Sequence, residues 1–370
     1  MKKRQRSRLS LTVATILFSI CMLGATAKEY ERTISREFDI SATGVVEIFN
    51  KYGNIDLHTW PQNKVKFEVR ISVDARSEDK AEDTFERIKV EFDDSHARVK
   101  AVTEISTIRN WRRWFGDKSD KFQIDYDVYL PASVEIDLDN KYGDIFIPSM
   151  DNRIDIVLKY GNIQIEAIAG DASISMGYAK GSLASANDVD LDLSYSTLRC
   201  GTLEDVSIDS KYGRFEAESI RNLRSNSSYD DYKIGHAESI NNSGKYDELI
   251  LGTVGRLDVD TRYSDIEVQS LQHEAEFTMK YGGLTIKRVM AGFSLVDVQS
   301  SYTTVRIDTG TDTRFTFEAN TKYCGVRDSG IELYHDVRNS GETELKGFRG
   351  SRNATARIIA RMEYGSLTIN

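Results

Sequence analysis

Proline, cysteine and histidine are all scarce in this chain of 370 residues, which holds three, three and five of them. With prolines only at Pro61, Pro131 and Pro148, long stretches keep every backbone donor that a sheet interior needs. Three cysteines exclude a disulfide scaffold and a cysteine-rich zinc site. His58, His96, His236, His273 and His335 are scattered, without the spacing of metal ligands. Glycine-rich phosphate loops and nucleophile elbows are missing too. These absences predict no cofactor and no metal, and they leave enzyme chemistry without a motif.

What the chain does have is a phrase it repeats. Asn140-Lys141-Tyr142-Gly143-Asp144-Ile145 echoes Asn50-Lys51-Tyr52-Gly53-Asn54-Ile55, and Lys159-Tyr160-Gly161-Asn162-Ile163 follows it. Lys211-Tyr212-Gly213, Lys280-Tyr281-Gly282 and Glu363-Tyr364-Gly365 come later, with weaker copies at Tyr178, Tyr195, Tyr229, Tyr246, Tyr263, Tyr302 and Tyr323. From Tyr142 to Tyr281 the steps are 17 or 18 residues, and the next two are 21. A period held so closely marks a stacked repeat architecture.

Around Tyr160, Ile154, Ile156 and Leu158 alternate before it, and Ile163, Ile165 and Ile168 follow. Alternation by two on both sides means two short strands, each with one buried face. The Gly-Asn or Gly-Asp after many tyrosines reads as the residue of positive φ at a sharp corner. Each repeat is then strand, sharp corner, strand, softer corner. A unit of this size cannot bury enough apolar surface alone, so each rung must hydrogen-bond to the next. The expected fold is all-β: a single-stranded, parallel, right-handed β-solenoid with rungs of 17–21 residues and layers ~4.8 Å apart.

Residues 1–27 read as a signal peptide: Lys2, Lys3, Arg4, Arg6 and Arg8, an apolar run from Leu9 to Leu23, then Ala25-Thr26-Ala27 before the cut. Cleavage leaves no transmembrane span and an exported chain, in the periplasm, cell envelope or extracellular space. It also takes the net charge from −9 to −14, because the leader holds five basic and no acidic residues. That balance argues against nucleic acid as a partner. Cys200 and Cys324 then remain, expected seven rungs apart, ~34 Å at the sheet spacing, too far for a disulfide.

From 28 to 131 the chain is β-rich without a regular repeat. It reads as a first rung around Tyr52 and a cap with a short helix near 78–88, which Ser77 begins as N-cap. Such a cap shields the first open sheet edge. Inside it, Trp111-Arg112-Arg113-Trp114-Phe115 is the most unusual loop, with the residue types of a binding hot spot. Repeats occupy 132–330, with corner insertions near Val289–Phe293 and Thr309–Arg314. Residues 331–370 form an excursion that covers the far edge and then a last rung.

Two columns offer candidate sites. Thirteen tyrosines stack one above another, preferably as a structural ladder and otherwise as an aromatic strip for carbohydrate. Immediately before them Lys51, Lys141, Lys159, Lys211, Lys245, Lys280 and Lys322 line up outward, with Arg262 in the same column. Asp155, Asp190, Asp192, Asp209, Asp258, Asp260 and Asp297 lie nearby. They either neutralise the lysines laterally or leave a basic strip for an acidic polymer. Paired acids such as Asp190 and Asp192 do not mark a singular active site, because they recur with the repeat. The candidate surface residues are therefore Trp111, Arg112, Arg113, Trp114, Lys141, Lys159, Lys211 and Lys280.

A β-rich start followed by Tyr-Gly-Asp/Asn-Ile repeats resembles the "putative adhesin" family of secreted bacterial β-solenoid proteins. The resemblance rests mainly on Asn140–Ile145 and Met362–Leu367 and covers the chain from about Val45 onward. It implies a β-solenoid on or near a bacterial envelope, with no catalytic motif to transfer. The expectation is a non-catalytic, adhesin-like protein that presents a rigid surface to a cell-surface glycan or a protein ligand. A periplasmic scaffold or envelope-stress accessory protein is the first alternative, and a polysaccharide-cleaving β-helix the second.

Overall fold

Alternation dictates the local structure: Ile136, Leu138 and Asn140 turn inward while Asp137, Asp139 and Lys141 turn out, and the same phase returns one coil later. A computed structural model describes residues 28–106 and 121–370. The leader and the Trp111–Phe115 loop lie outside the described residues. The fold is a long, open, mostly parallel β-solenoid, with one helix among the described residues.

The N-terminal part runs β1 (Lys28–Asp39), β2 (Val45–Lys51), β3 (Ile55–Thr59), β4 (Lys64–Ala75), α1 (Glu78–Phe85), β5 (Ile88–Ser95), β6 (Arg98–Ile105) and β7 (Lys121–Leu130). Strands β2 and β3 flank Tyr52 as the first tyrosine coil. On their outer side, β6 pairs parallel with β2 and β7 parallel with β3. Pairing then turns antiparallel, β5 on β6, β4 on β7 and β1 on β4. This change of direction ends the parallel stack. Helix α1 begins where Ser77 accepts a hydrogen bond from the Lys80 amide, and it buries Ala81, Thr84 and Phe85. Ile88 already belongs to β5, because its neighbours are drawn into pairing with β6.

The coils proper follow. β8 (Glu135–Lys141), β9 (Ile145–Ile147), β10 (Ile154–Lys159), β11 (Asn162–Ile168) and β12 (Ala172–Gly177) build the early ones. β13 (Lys180–Ser194), β14 (Thr197–Lys211), β15 (Arg214–Ser228) and β16 (Asp231–Lys245) each run from one tyrosine corner to the next. β17 (Glu248–Val289) passes the Tyr263 and Tyr281 corners without a break, and β18 (Leu295–Thr309) and β19 (Phe315–Asp328) continue. Register is strict: Lys51 faces Lys141, and Lys141 faces Lys159.

Each coil has three corners rather than two. Between β13 and β14 the ladder of paired residues skips Ala184 and Gly201, then Asn187 and Glu204. Inward residues there are Leu183, Ala186 and Val189, so two steps of three interrupt the alternation. A step of three keeps a side chain pointing inward across a bend, which a step of two cannot do. The interior is a continuous column of Ile, Leu and Val.

The far end departs from chain order. β20 (Glu332–Asn339) and β21 (Glu342–Arg349) form a hairpin, and β21 pairs antiparallel with β19 along Phe315–Lys322. β22 (Arg357–Ile369) then enters between β18 and β19, parallel to both. The coil that is last in sequence is therefore second to last in space. It lies between its predecessors because β18 presents a free edge that β22 matches residue for residue, from Leu295↔Arg357 to Ile307↔Ile369. Cys200 and Cys324 are both free thiols, eight layers apart once β22 is counted.

Candidate functional site

The tyrosine corner is built from an unfavourable backbone state. All thirteen repeat tyrosines adopt φ between 51° and 67°. Such left-handed geometry costs an ordinary residue ~1–2 kcal/mol. It corrects the expectation that the following glycine carries the positive φ. Most of those glycines have ordinary φ, with Gly282 the exception at 139°. Their role is close approach: a Cβ on Gly143 would collide with the Gly53 carbonyl, and one on Gly161 with the Gly143 carbonyl.

Stacking holds the tyrosines in place. Neighbouring ring centroids lie 4.6 Å apart at Tyr229–Tyr246 and up to 5.2 Å at Tyr52–Tyr142. Interplanar angles run from 1° at Tyr178–Tyr195 to 18° at Tyr281–Tyr302. The ladder is continuous, and its order near the end is Tyr302, Tyr364, Tyr323. At one end Phe122 packs edge-on against Tyr52; at the other Gly341 lies beside the ring of Tyr323, which is 64% exposed. The rings point outward and stay about half exposed, Tyr212 at 41%. Their faces are thus spent on each other, so a sugar cannot lie on them. Only edges and hydroxyls face out. Among the described residues, the tyrosine hydroxyls bonded to protein are those of Tyr126 and Tyr232, outside the ladder.

The lysine column runs alongside. Lys141 and Lys159 sit on adjacent coils with Lys51, and Lys211 stands between Ser194 and Ser228. Lys245 faces Arg262, and Lys280 follows on the next coil before Ser301. Several ammonium groups lie close to the rings: Lys51 4.8 Å from the Tyr52 centroid, Lys141 5.0 Å from Tyr142, and Lys211 and Lys280 each 5.4 Å from their own tyrosines. Among the described residues the only ion pair in this lysine column is Lys322 with Glu342. Lateral neutralisation by the aspartates is therefore not what the structure shows. Several aspartates are instead held within their own columns by asparagines of an adjacent coil, Asn222 donating to Asp205 (2.6 Å), Asn226 to Asp209 (3.1 Å) and Asn241 to Asp258 (3.0 Å), while Asp155 and Asp297 pair with Arg153 and Arg361. Trp111, Arg112, Arg113 and Trp114 lie outside the described residues.

A second feature is one that sequence reasoning missed. Behind the ladder, where six coils have glycine, Tyr229 and Tyr246 are followed by Asp230 and Asp247, both buried. Asp230 accepts from the Gly213 amide (2.6 Å) and the Ser210 hydroxyl (2.9 Å). Asp247 accepts from the Asp230 amide (3.0 Å) and the Ser227 hydroxyl (2.9 Å). Gly244 leaves the space this carboxylate fills, since a Cβ there would collide with it. Burial without a cationic partner raises both carboxyls, Asp247 from the usual 3.8 to about 6. The signal was present as Tyr-Asp replacing Tyr-Gly. Cys200 is inert by comparison, its thiol pushed up to about 12 by burial.

No family model and no curated protein matches the sequence. Solved structures do. One is a "putative cell adhesion protein" from Clostridium sporogenes ATCC 15579, 8% identical, with 92% of this chain and 99% of that one covered and a TM-score of 0.19. Another is a "putative adhesin" from Parabacteroides distasonis ATCC 8503, 9% identical over 75% of this chain and 97% of that one, TM-score 0.34. A third, also from Parabacteroides distasonis, is a "putative lipid binding protein", 10% identical over 74% and 96%, TM-score 0.32.

Among the described residues no helix is long and apolar enough to cross a membrane, and no three His, Cys, Asp or Glu side chains cluster as a metal site would.

Proposed function

We propose that this chain is an exported, non-catalytic protein of the bacterial envelope that presents the tyrosine–lysine ridge as a rigid, adhesin-like binding surface. One observation carries the reading. The lysine column keeps its charge free of carboxylate partners along most of the ridge, although Asp139, Asp209 and Asp260 stand two residues before Lys141, Lys211 and Arg262. The ridge also cannot flex, because every coil is fixed to its neighbours by parallel pairing and by ring stacking. Rigidity lowers the ordering cost of binding an extended partner.

Among the repeated aspartates, Asp209 and Asp258 accept hydrogen bonds from asparagines of adjacent coils. The test is direct. Purified mature protein, fluorescently labelled, is incubated with whole cells and with isolated envelope fractions, with and without the lysine column converted to glutamine. Saturable binding that falls in the variant supports the reading. Equal binding by both proteins, or none by either, refutes it.

A further inference from the structure

We infer that the ridge takes a linear acidic polysaccharide, a chain of uronate-type or phosphate-bearing sugars lying parallel to the solenoid axis. This deepens the binding-surface reading above and rests on it.

Between Lys51 and Lys280 the column before the tyrosines spans ten coils, and no carboxylate occurs in it. Nine steps at ~4.8 Å make a straight cationic line of ~43 Å. Its charge is concentrated at two triads on consecutive coils, Lys51, Lys141 and Lys159 near one end and Lys245, Arg262 and Lys280 near the other. Lys211 stands between them. Beyond Lys280 the line stops, because Ser301 and then Glu363 take the next places.

The outward edge of each tyrosine offers a hydroxyl without a protein partner, one per layer, suited to hydrogen-bond sugar oxygens. The ring faces are closed by stacking, which removes the platform that bases of a single-stranded nucleic acid need.

A flat surface fits the ridge less well. Asp139, Asp209 and Asp260 stand two residues before the lysine column, and Asp144, Asp231, Glu248 and Asp265 stand two residues after the tyrosines, a column that also carries Lys180 and Arg214, the latter paired with Asp231. A planar anionic membrane pressed on the ridge would meet these carboxylates on both flanks. A single polymer chain touches the ridge alone. Where acids flank the line, as at Lys141 and Arg262, they repel a polymer that slips sideways.

Because each contact is weak and exposed, binding should accumulate with the number of layers engaged. The test uses the full mature chain with length-fractionated polygalacturonate, neutral dextran, and vesicles of phosphatidylcholine with phosphatidylglycerol, followed by fluorescence anisotropy and vesicle sedimentation. The expected result is binding of polygalacturonate that strengthens until the oligomer spans both triads, weakens with salt, and drops about tenfold when either triad is converted to glutamine. Glu91→Gln with Asp94→Asn on β5, away from the ridge, should leave it unchanged. If a triple variant loses its thermal transition, Lys141→Gln and Lys280→Gln singly supply the same comparison, since both side chains are outward. The proposal is overturned by equal binding of dextran, by affinity that does not depend on oligomer length, or by triad variants that bind as wild type. It is also overturned if vesicles bind through the triads and polygalacturonate does not. Binding to cells or envelope fractions without binding to polygalacturonate sinks this inference while leaving the broader reading in place.

Discussion

Tyr364 stacks on Tyr302 with ring centroids 4.8 Å apart and planes 5° apart, and Tyr323, which lies between them in sequence, sits on its far side. The C-terminal strand is thus an internal layer. Ile358, Ala360, Met362, Leu367 and Ile369 on it are buried between β18 and β19. A chain ending at Gly350 should leave β19 and the hairpin without a base to pair on. Hydrogen exchange should show protection lost over Phe315–Arg349 and retained in the early coils. Retained protection over Phe315–Asp328 would contradict the insertion.

The ladder sets two effects against each other at every rung: a left-handed backbone that opposes it, and ring stacking that favours it. Stacking contributes ~0.5–1.5 kcal/mol per pair, and each inner tyrosine makes two. Tyr195→Ala keeps the strain and loses both stacks, so it should cost about 2–4 kcal/mol. Tyr195→Gly relieves the strain and should be milder by ~1 kcal/mol. Chemical denaturation of the three proteins checks the order, wild type then glycine then alanine. Alanine equal to or better than glycine would remove strain from the account.

Gly143 and Gly325 separate close approach from mere turn chemistry. A Cβ on Gly143 meets the Gly53 carbonyl, while one on Gly325 meets nothing within 4 Å. Gly143→Ala should lower stability by about 1–3 kcal/mol, and Gly325→Ala should be near neutral. Thermal melts that rank them the other way would show that the corners do not lie as closely as described.

Much of this was legible in the sequence. The period and the parity of Ile154, Ile156 and Leu158 fix coils and an inward face, since a strand has only two sides. The residue of positive φ was misread, because glycine is the usual host and nothing local reveals that stacking holds a tyrosine there. The third corner was written as the step from Ile165 to Ile168, but one step of three looks like an irregularity until it recurs. The place of β22 could not be read at all: 41 residues from Tyr323 to Tyr364 fit two further turns as well as an insertion. The lysine column was visible as a column. Its lack of partners was not, because which neighbour an aspartate chooses depends on contacts between coils.

Asp247 gives the fold a pH dependence of known sign. Its folded-state value, about 6, lies above the ordinary 3.8, so the folded state binds its proton more tightly than the unfolded chain. The contribution to stability is fully present below about 3.8 and lost as pH rises through about 6. Asp247→Asn should therefore stabilise the protein at neutral pH and flatten the stability profile between those values. Urea titrations of both proteins across the range test this, and parallel profiles would assign the dependence elsewhere.

The layer order itself can be measured by cysteine pairing in a Cys324→Ser background. Ser301 faces Glu363 directly, one layer away, whereas Lys322 lies beyond Glu363 at two layers, ~9.6 Å. A disulfide needs Cα atoms within about 7 Å. The account predicts that Ser301→Cys with Glu363→Cys closes a bond under mild oxidation and that Ser301→Cys with Lys322→Cys does not. Efficient bonding of the second pair and none in the first would mean that the coils stack in chain order, and the account would fail.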